Sequence, residues 1–292
     1  MLNAECQSGT GRGGAKRISF SPCPLRLISY AVFAVLFLSA CTTTPPVPDS
    51  AYQVASVERL AQLLKDREAA LQSMKGFFRF SVKGPGIPFA PPMEGAVTYQ
   101  RPGALRLRGF SPFGGELFDF MLAQERFRLK DKPNNKQYAG RLADLEHRPG
   151  IGGHIWLSVW AINSAIGNNA LASDSRTELA EDGERYRLDV TTAAQPAVST
   201  AAAVPNRRRL WFDRRTLQVV QEDRLDDNGA VTATMTFEDF RPVSGDSANG
   251  GAALVRPFKV TMKGEPGTLV LKFSEIVSNP TLKPEDLGHP GV

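Results

Sequence analysis

The apolar residues of this chain fall into three successive patterns. The first is a continuous run, Leu27 to Leu38. The second places Val54, Val57, Leu60, Leu64, Leu71 and Met74 three to four residues apart, with Arg, Lys, Gln and Glu between them. That spacing predicts a helix with one face on a core, closed by Gly76. From Phe77 onward the period becomes two, and Gly, Pro, Asn and Asp separate the segments. Phe78, Phe80 and Val82 alternate with Arg79, Ser81 and Lys83; Val97 and Tyr99 follow, then Leu105 and Leu107, then Phe118, Phe120 and Leu122, then Phe127 and Leu129. The pattern resumes at Tyr186, Leu188 and Val190, at Leu210 and Phe212, and at Leu217 and Val219. It ends with Val231 to Phe237, Phe258 to Met262, and Leu269 to Phe273. About eleven short strands in a meander, each with one polar side, predict a mainly β (α+β) domain. They form a single curved antiparallel sheet, wet on one face and closed or nearly closed to protect its edges.

Two segments interrupt the meander. Gly150 to Asn169 carries Ile155, Trp156, Val159, Trp160, Ile162, Ala165 and Ile166, which predicts a strongly apolar helix. Residues 191–205 are rich in Ala, Thr and Pro, a composition that predicts a disordered insertion in a hairpin. The span 53–287 is read as one domain, a length ordinary for an all-β barrel.

Ahead of the first apolar run stand Arg12, Lys16, Arg17 and Arg26, and small residues follow it. Basic, then apolar, then small is the order of a removable export signal, and the run is well short of the roughly 20 residues that span a bilayer. The signal ends in Leu38-Ser39-Ala40-Cys41, which resembles the lipobox of bacterial lipoproteins. The resemblance implies cleavage after residue 40 and a lipidated Cys41, since only a thiol forms the thioether that carries the lipid. Two or three acyl chains make such an anchor effectively permanent. Residues 41–52 are Thr- and Pro-rich and read as a stiff tether. Thr42 stands where, by the same resemblance, an Asp would retain the protein in the inner membrane, so the expected location is the periplasmic side of the outer membrane.

Removal of residues 1–40 changes the chemistry that remains. Of 35 basic and 30 acidic residues in the whole chain, 31 and 29 persist, so the high overall charge belongs largely to the signal. A balance this near neutral argues against a nucleic-acid partner. Cys6 and Cys23 leave with the signal, so no disulfide framework is expected. His147, His154 and His289 have no second ligand at metal-site spacing, and they read as solvated loop residues. Asp223, Asp226 and Asp227 read as hairpin-turn residues. No nucleophile elbow, P-loop or dinucleotide fingerprint is present, so neither an enzyme nor a cofactor is expected. The unusual chemistry is apolar. In Gly109-Phe110-Ser111-Pro112-Phe113-Gly114-Gly115, Pro and Gly force a turn between two strands. Phe113 either stands exposed at its tip, where it needs an apolar partner, or folds back over the end of the sheet.

The order of lipobox, leading helix, β meander, turn, central apolar helix and further strands resembles the LolA/LolB lipoprotein-carrier superfamily, nearest to its outer-membrane receptor branch, LolB. The most specific segment runs from Arg101 to Leu117. The receptor's hairpin reads like Asn-Pro-Leu-Gly, with a protruding leucine that helps place cargo in the membrane. Here Ser111 stands for the Asn, Pro112 and Gly114 match, and Phe113 stands for the leucine. Ser278-Asn279-Pro280 is a second echo. The resemblance spans roughly residues 53 to 287, and the insertion at 191–205 and the length of the chain depart from it.

The resemblance implies an unclosed antiparallel β-barrel with helices plugging its open side and lipid acyl chains in an apolar interior. It implies Phe78, Phe80, Leu105, Leu107, Phe118, Phe120, Met235, Phe258 and Phe273 as lining. It makes the helix of Trp156 and Trp160 either a lid or a plain core helix, and Pro112, Phe113 and Gly114 the loop that meets membrane or cargo. The expected partners are acyl chains of lipoproteins, a periplasmic LolA-like carrier and the inner leaflet of the outer membrane, with the protein itself a monomer. Two other readings remain: a carrier or sensor of another lipid on the same fold, and an envelope assembly lipoprotein that holds no ligand.

Overall fold

Ser56 starts the first helix by accepting a hydrogen bond from the Arg59 N–H at 3.3 Å. A computed structural model describes residues 51–84, 91–142, 151–167, 171–172, 174–192, 207–245, 254–264 and 267–288, with side chains in 151–157 excepted. The export signal, Cys41, the tether up to Ser50, His147, His289 and most of the 191–205 segment lie outside these residues. Ala51 opens the compact unit to which the described residues belong.

Helix α1 spans Val57–Ala69 and buries Leu60 and Leu64, one turn apart. It ends earlier than its spacing predicts. Leu71 and Met74 are buried but follow the helix, and Gly76 sits inside strand β1 (Ser73–Lys83), not at a helix end. The reason is long-range. The Asn279 side chain accepts from the Gln72 N–H at 2.8 Å and donates to the Ala70 carbonyl at 3.0 Å, so groups that a further helical turn would use are bound to a residue 207 positions beyond Gln72 in the chain.

Among the described residues thirteen strands form one antiparallel sheet in the order β6-β5-β4-β3-β2-β1-β13-β12-β11-β10-β9-β8-β7. After β1 come β2 (Met93–Gln100), β3 (Ala104–Phe110), β4 (Glu116–Ala123), β5 (Arg126–Asp131) and β6 (Lys136–Arg141). Helix α2 (Ile151–Ala165) crosses to β7 (Arg176–Asp182) and β8 (Arg185–Thr191). Then follow β9 (Arg207–Asp213), β10 (Val219–Leu225), β11 (Val231–Pro242), β12 (Val255–Gly264) and β13 (Gly267–Ser278), and a 3-10 turn at Pro284–Leu287. The sheet is unclosed: β6 and β7 are its two edges. Eleven strands sit where the period-two pattern places them. The two it misses, β6 and β7, are the edge strands, where neither face is fully covered and the alternation that marks a half-buried strand disappears. His154, expected in a loop, falls in α2.

The inner face carries the buried row on every central strand, and the outer face is mainly polar, with Phe77 an exception. Outside β3 and β4, Arg106 makes a two-pronged ion pair with Asp119, Nε and Nη2 each at 2.9 Å from a carboxylate oxygen. The same guanidinium donates to the Glu285 carbonyl at 2.9 Å, which ties the 3-10 turn to the sheet. Lys75 adds an ion pair to Asp286 at 2.9 Å.

Candidate functional site

The inner face holds the residues expected to line an interior. Phe78, Phe80, Leu105, Leu107, Phe120, Met235, Phe258 and Phe273 are all buried, and Phe118 is partly buried against them. They come from β1, β3, β4, β11, β12 and β13, so strand pairing alone assembles them. The rings pack on one another: Phe78 lies 5.4 Å from Phe273 and 5.9 Å from Phe80, and Phe80 lies 6.3 Å from Phe118.

One cross-strand row explains how such rings fit on a curved sheet. In register it reads Phe273, Phe78, Gly95, Gly109, Phe118, Asp131 across β13, β1, β2, β3, β4 and β5. Two glycines are paired in the middle, with a phenylalanine on either side leaning over each. A Cβ at Gly95 would fall against the ring of Phe78, and one at Gly109 against the ring of Phe118. The glycines are thus the floor of the apolar face, and no other residue leaves that space.

Helix α2 packs into this interior. Val159, Trp160, Ala161 and Ile162 are successive and all buried, as are Ala165 and Ile166, so the helix is covered on more than one side. Trp160 stands among the interior residues; the side chain of Trp156 lies outside the described residues. Sequence reasoning missed a polar point in the same interior. Glu222 of β10, 1% exposed, accepts from Ser164 Oγ of α2 at 2.9 Å and faces Arg208 of β9 at 3.7 Å. Its signal was available, because Arg208 and Glu222 occupy inward positions beside Leu210.

Asp223 is not a turn residue. It lies within β10, buried on the outer face, and accepts from Trp211 Nε1 at 2.7 Å and Thr234 Oγ1 at 2.8 Å. Those two donors make a buried carboxylate tolerable in a strand. Asp226 does hold the β10–β11 turn, accepting from the Asn228 and Ala230 N–H groups at 2.9 and 2.7 Å.

The β3–β4 turn is closed by Ser111, whose N–H donates to the Gly115 carbonyl at 2.7 Å and whose Oγ accepts from the Gly115 N–H at 3.1 Å. Gly114 has φ +87°, a conformation that favours glycine. The turn projects Phe113, which is 97% exposed and does not fold back. Among the described residues no cluster of three metal-ligating side chains occurs, and no helix is long and apolar enough to cross a membrane.

No protein-family model matches the sequence, and no curated relative does. The fold has counterparts among solved structures. An outer membrane lipoprotein-sorting protein domain from Vibrio parahaemolyticus superposes with a TM-score of 0.53 at 12% identity, covering 78% of this chain and 94% of its own. A LolA superfamily protein from Nitrosomonas europaea gives 0.51 at 10% identity, with 76% and 94% covered. A DUF1329 family protein from Desulfovibrio piger gives 0.52 at 12% identity, with 79% and 95% covered. At these identities the likeness establishes the fold: an unclosed antiparallel sheet with helices, as in LolA superfamily proteins.

Proposed function

We propose that this chain is a lipoprotein, anchored through Cys41 to the periplasmic face of the outer membrane, that takes up the acyl chains of other lipoproteins and helps insert those lipoproteins into that membrane. The observation that carries the reading is an apolar helix packed into the apolar inner face of an unclosed sheet. The fold of a lipoprotein-sorting domain and of a LolA superfamily protein supports it.

Magnitudes favour a reversible exchange. Moving α2 away uncovers Val159, Trp160, Ile162 and Ile166, each costing about 1.5–3 kcal/mol of burial. An acyl chain entering in its place recovers about 0.8 kcal/mol per buried methylene, so one long chain offsets the loss of the helix side chains. Neither state wins by a wide margin, which suits a protein that must both accept and release. Helix α2 is then the lid. Pro112, Phe113 and Gly114 form the contact point with membrane or cargo, and a soluble LolA-like carrier is the donor.

Depletion of the protein tests the sorting step. Fractionation of the envelope is expected to show other lipoproteins building up in the periplasm or inner membrane, and an unchanged distribution contradicts it. The close packing of the interior favours one second reading, an assembly lipoprotein whose barrel holds no ligand. Acyl-chain binding separates the two.

A further inference from the structure

The outer face of β1–β3 carries a second apolar feature, apart from the interior. Phe77 points outward and is 54% exposed. Its register partner on β2 is Ala96, and beyond Ala96 on β3 stands Arg108, whose guanidinium lies 5.7 Å from the ring centre of the half-buried Phe110. One step nearer the Phe113 turn the row reads Lys259, Lys272, Arg79, Glu94, Phe110. Beyond it Lys263 and Lys83 flank Thr268. Glu94 is paired with Arg79 at 3.6 Å and Glu238 with Lys259 at 2.7 Å, and the exposed Glu275 is the register partner of Phe77 on β13; Lys272, in mid-row, is exposed. Aromatic rings thus run from Phe77 through Phe110 to the turn at Phe113 along an outward strip on which the basic residues Arg79, Lys83, Arg108, Lys259, Lys263 and Lys272 outnumber the acidic Glu94, Glu238 and Glu275.

We propose that this strip is a binding surface for a bilayer containing anionic phospholipid. The rings would enter the interfacial layer while the basic side chains, whose stems are apolar, meet lipid phosphates. The shape selects the partner. These strands are hydrogen-bonded on both sides, so no edge is open to an added strand, and an outward sheet face offers no groove for a peptide. A bilayer deforms to meet widely separated rings, whereas a rigid acidic protein needs a matching concavity. The surface lets the domain lie along the membrane instead of touching it only at the tip of one turn.

Residues 51–292 form a compact unit that contains the apolar core of the described residues, from Leu60 to Ile276, and serve for the test. Co-sedimentation is measured with vesicles of phosphatidylcholine alone and of phosphatidylcholine mixed with phosphatidylglycerol. The expected result is binding to the mixed vesicles only, weakened at least about fivefold between about 0.1 and 0.5 M salt. Arg79→Glu with Lys272→Glu, and separately Phe77→Ser, are each expected to reduce it at least about tenfold while leaving thermal unfolding and acyl-peptide binding unchanged. Failure to bind mixed vesicles, equal binding to both kinds, or full binding by the strip variants when only Phe113→Ser loses it, overturns the proposal. The acyl-chain reading is unaffected by any of these outcomes, since binding of an acylated peptide is read separately in the same samples.

Discussion

The ring of Phe118 lies over the backbone of Gly109, its partner in register on the neighbouring strand, in the place a side chain would occupy. Gly95 and Phe78 repeat the arrangement one strand pair away. A methyl group at Gly109 must therefore displace a ring. Gly109→Ala is expected to cost about 1–3 kcal/mol in denaturant unfolding. Combined with Phe118→Ala, it should cost less than the two separately, by at least about 0.5 kcal/mol. Strict additivity would mean that the ring and the glycine do not share that space.

Asn279 joins the end of α1 to the start of β1. Its backbone has φ +52°, and its side chain serves Gln72 N–H, Ser73 N–H and the Ala70 carbonyl. Asn279→Ala is expected to destabilise the fold by about 2 kcal/mol. Asn279→Gly, which keeps the backbone conformation and loses only the hydrogen bonds, should fall between it and the parent. Equal stability of all three would remove this account of why the helix ends where it does.

Glu222 is an acidic group bonded to α2 inside the apolar interior. Glu222→Ala takes the carboxylate away from buried Arg208 and from Ser164, and a loss on the order of 3 kcal/mol is expected. Glu222→Gln keeps an acceptor for Ser164 and should lose less. Thermal unfolding of the two variants checks the order.

Asp286 gives the C-terminal turn a pH dependence. A hydrogen bond from the Lys283 N–H, followed by the Lys75 ammonium, holds its carboxyl below the usual aspartate range. The charged form is the one favoured by folding, so this tie is complete above about pH 4 and weakens as pH falls below it. Amide exchange at Gly288, whose N–H donates to the Glu285 carbonyl, should accelerate in that range. In Lys75→Ala the acceleration should begin at a higher pH; an unshifted onset would mean that Lys75 has no part in it.

Much of this architecture is legible in the sequence because a half-buried strand writes its period directly into the residues. Phe78, Phe80, Leu105, Leu107 and Phe120 announce both their strands and their common face. Edge strands β6 and β7 lack that signature because only one neighbour and little core constrain them. Leu71 and Met74 keep helical spacing by coincidence, and what stops the helix before them is Asn279, more than 200 residues away in the chain. Asp223 looked like a turn residue because its donors, Trp211 and Thr234, lie on other strands. The Phe113 turn was legible from Pro and Gly alone. Whether its ring stood out or folded back depended on the three-dimensional path of β3 and β4.

Phe113 makes the simplest stability prediction. At 97% exposed it contributes almost nothing to the core, so Phe113→Glu should unfold within about 0.5 kcal/mol of the parent. If the turn is the release point, the variant should still bind acyl chains and fail to pass them to vesicles. Loss of binding would instead place Phe113 in the acyl-binding path.

Native mass spectrometry of residues 51–292 after incubation with a triacylated lipopeptide tests the central claim most directly. The account predicts a 1:1 adduct that is absent with the non-acylated peptide and is weakened when Leu107→Trp fills the inner face. No adduct, or one that Leu107→Trp leaves untouched, would contradict acyl-chain binding between the sheet and α2.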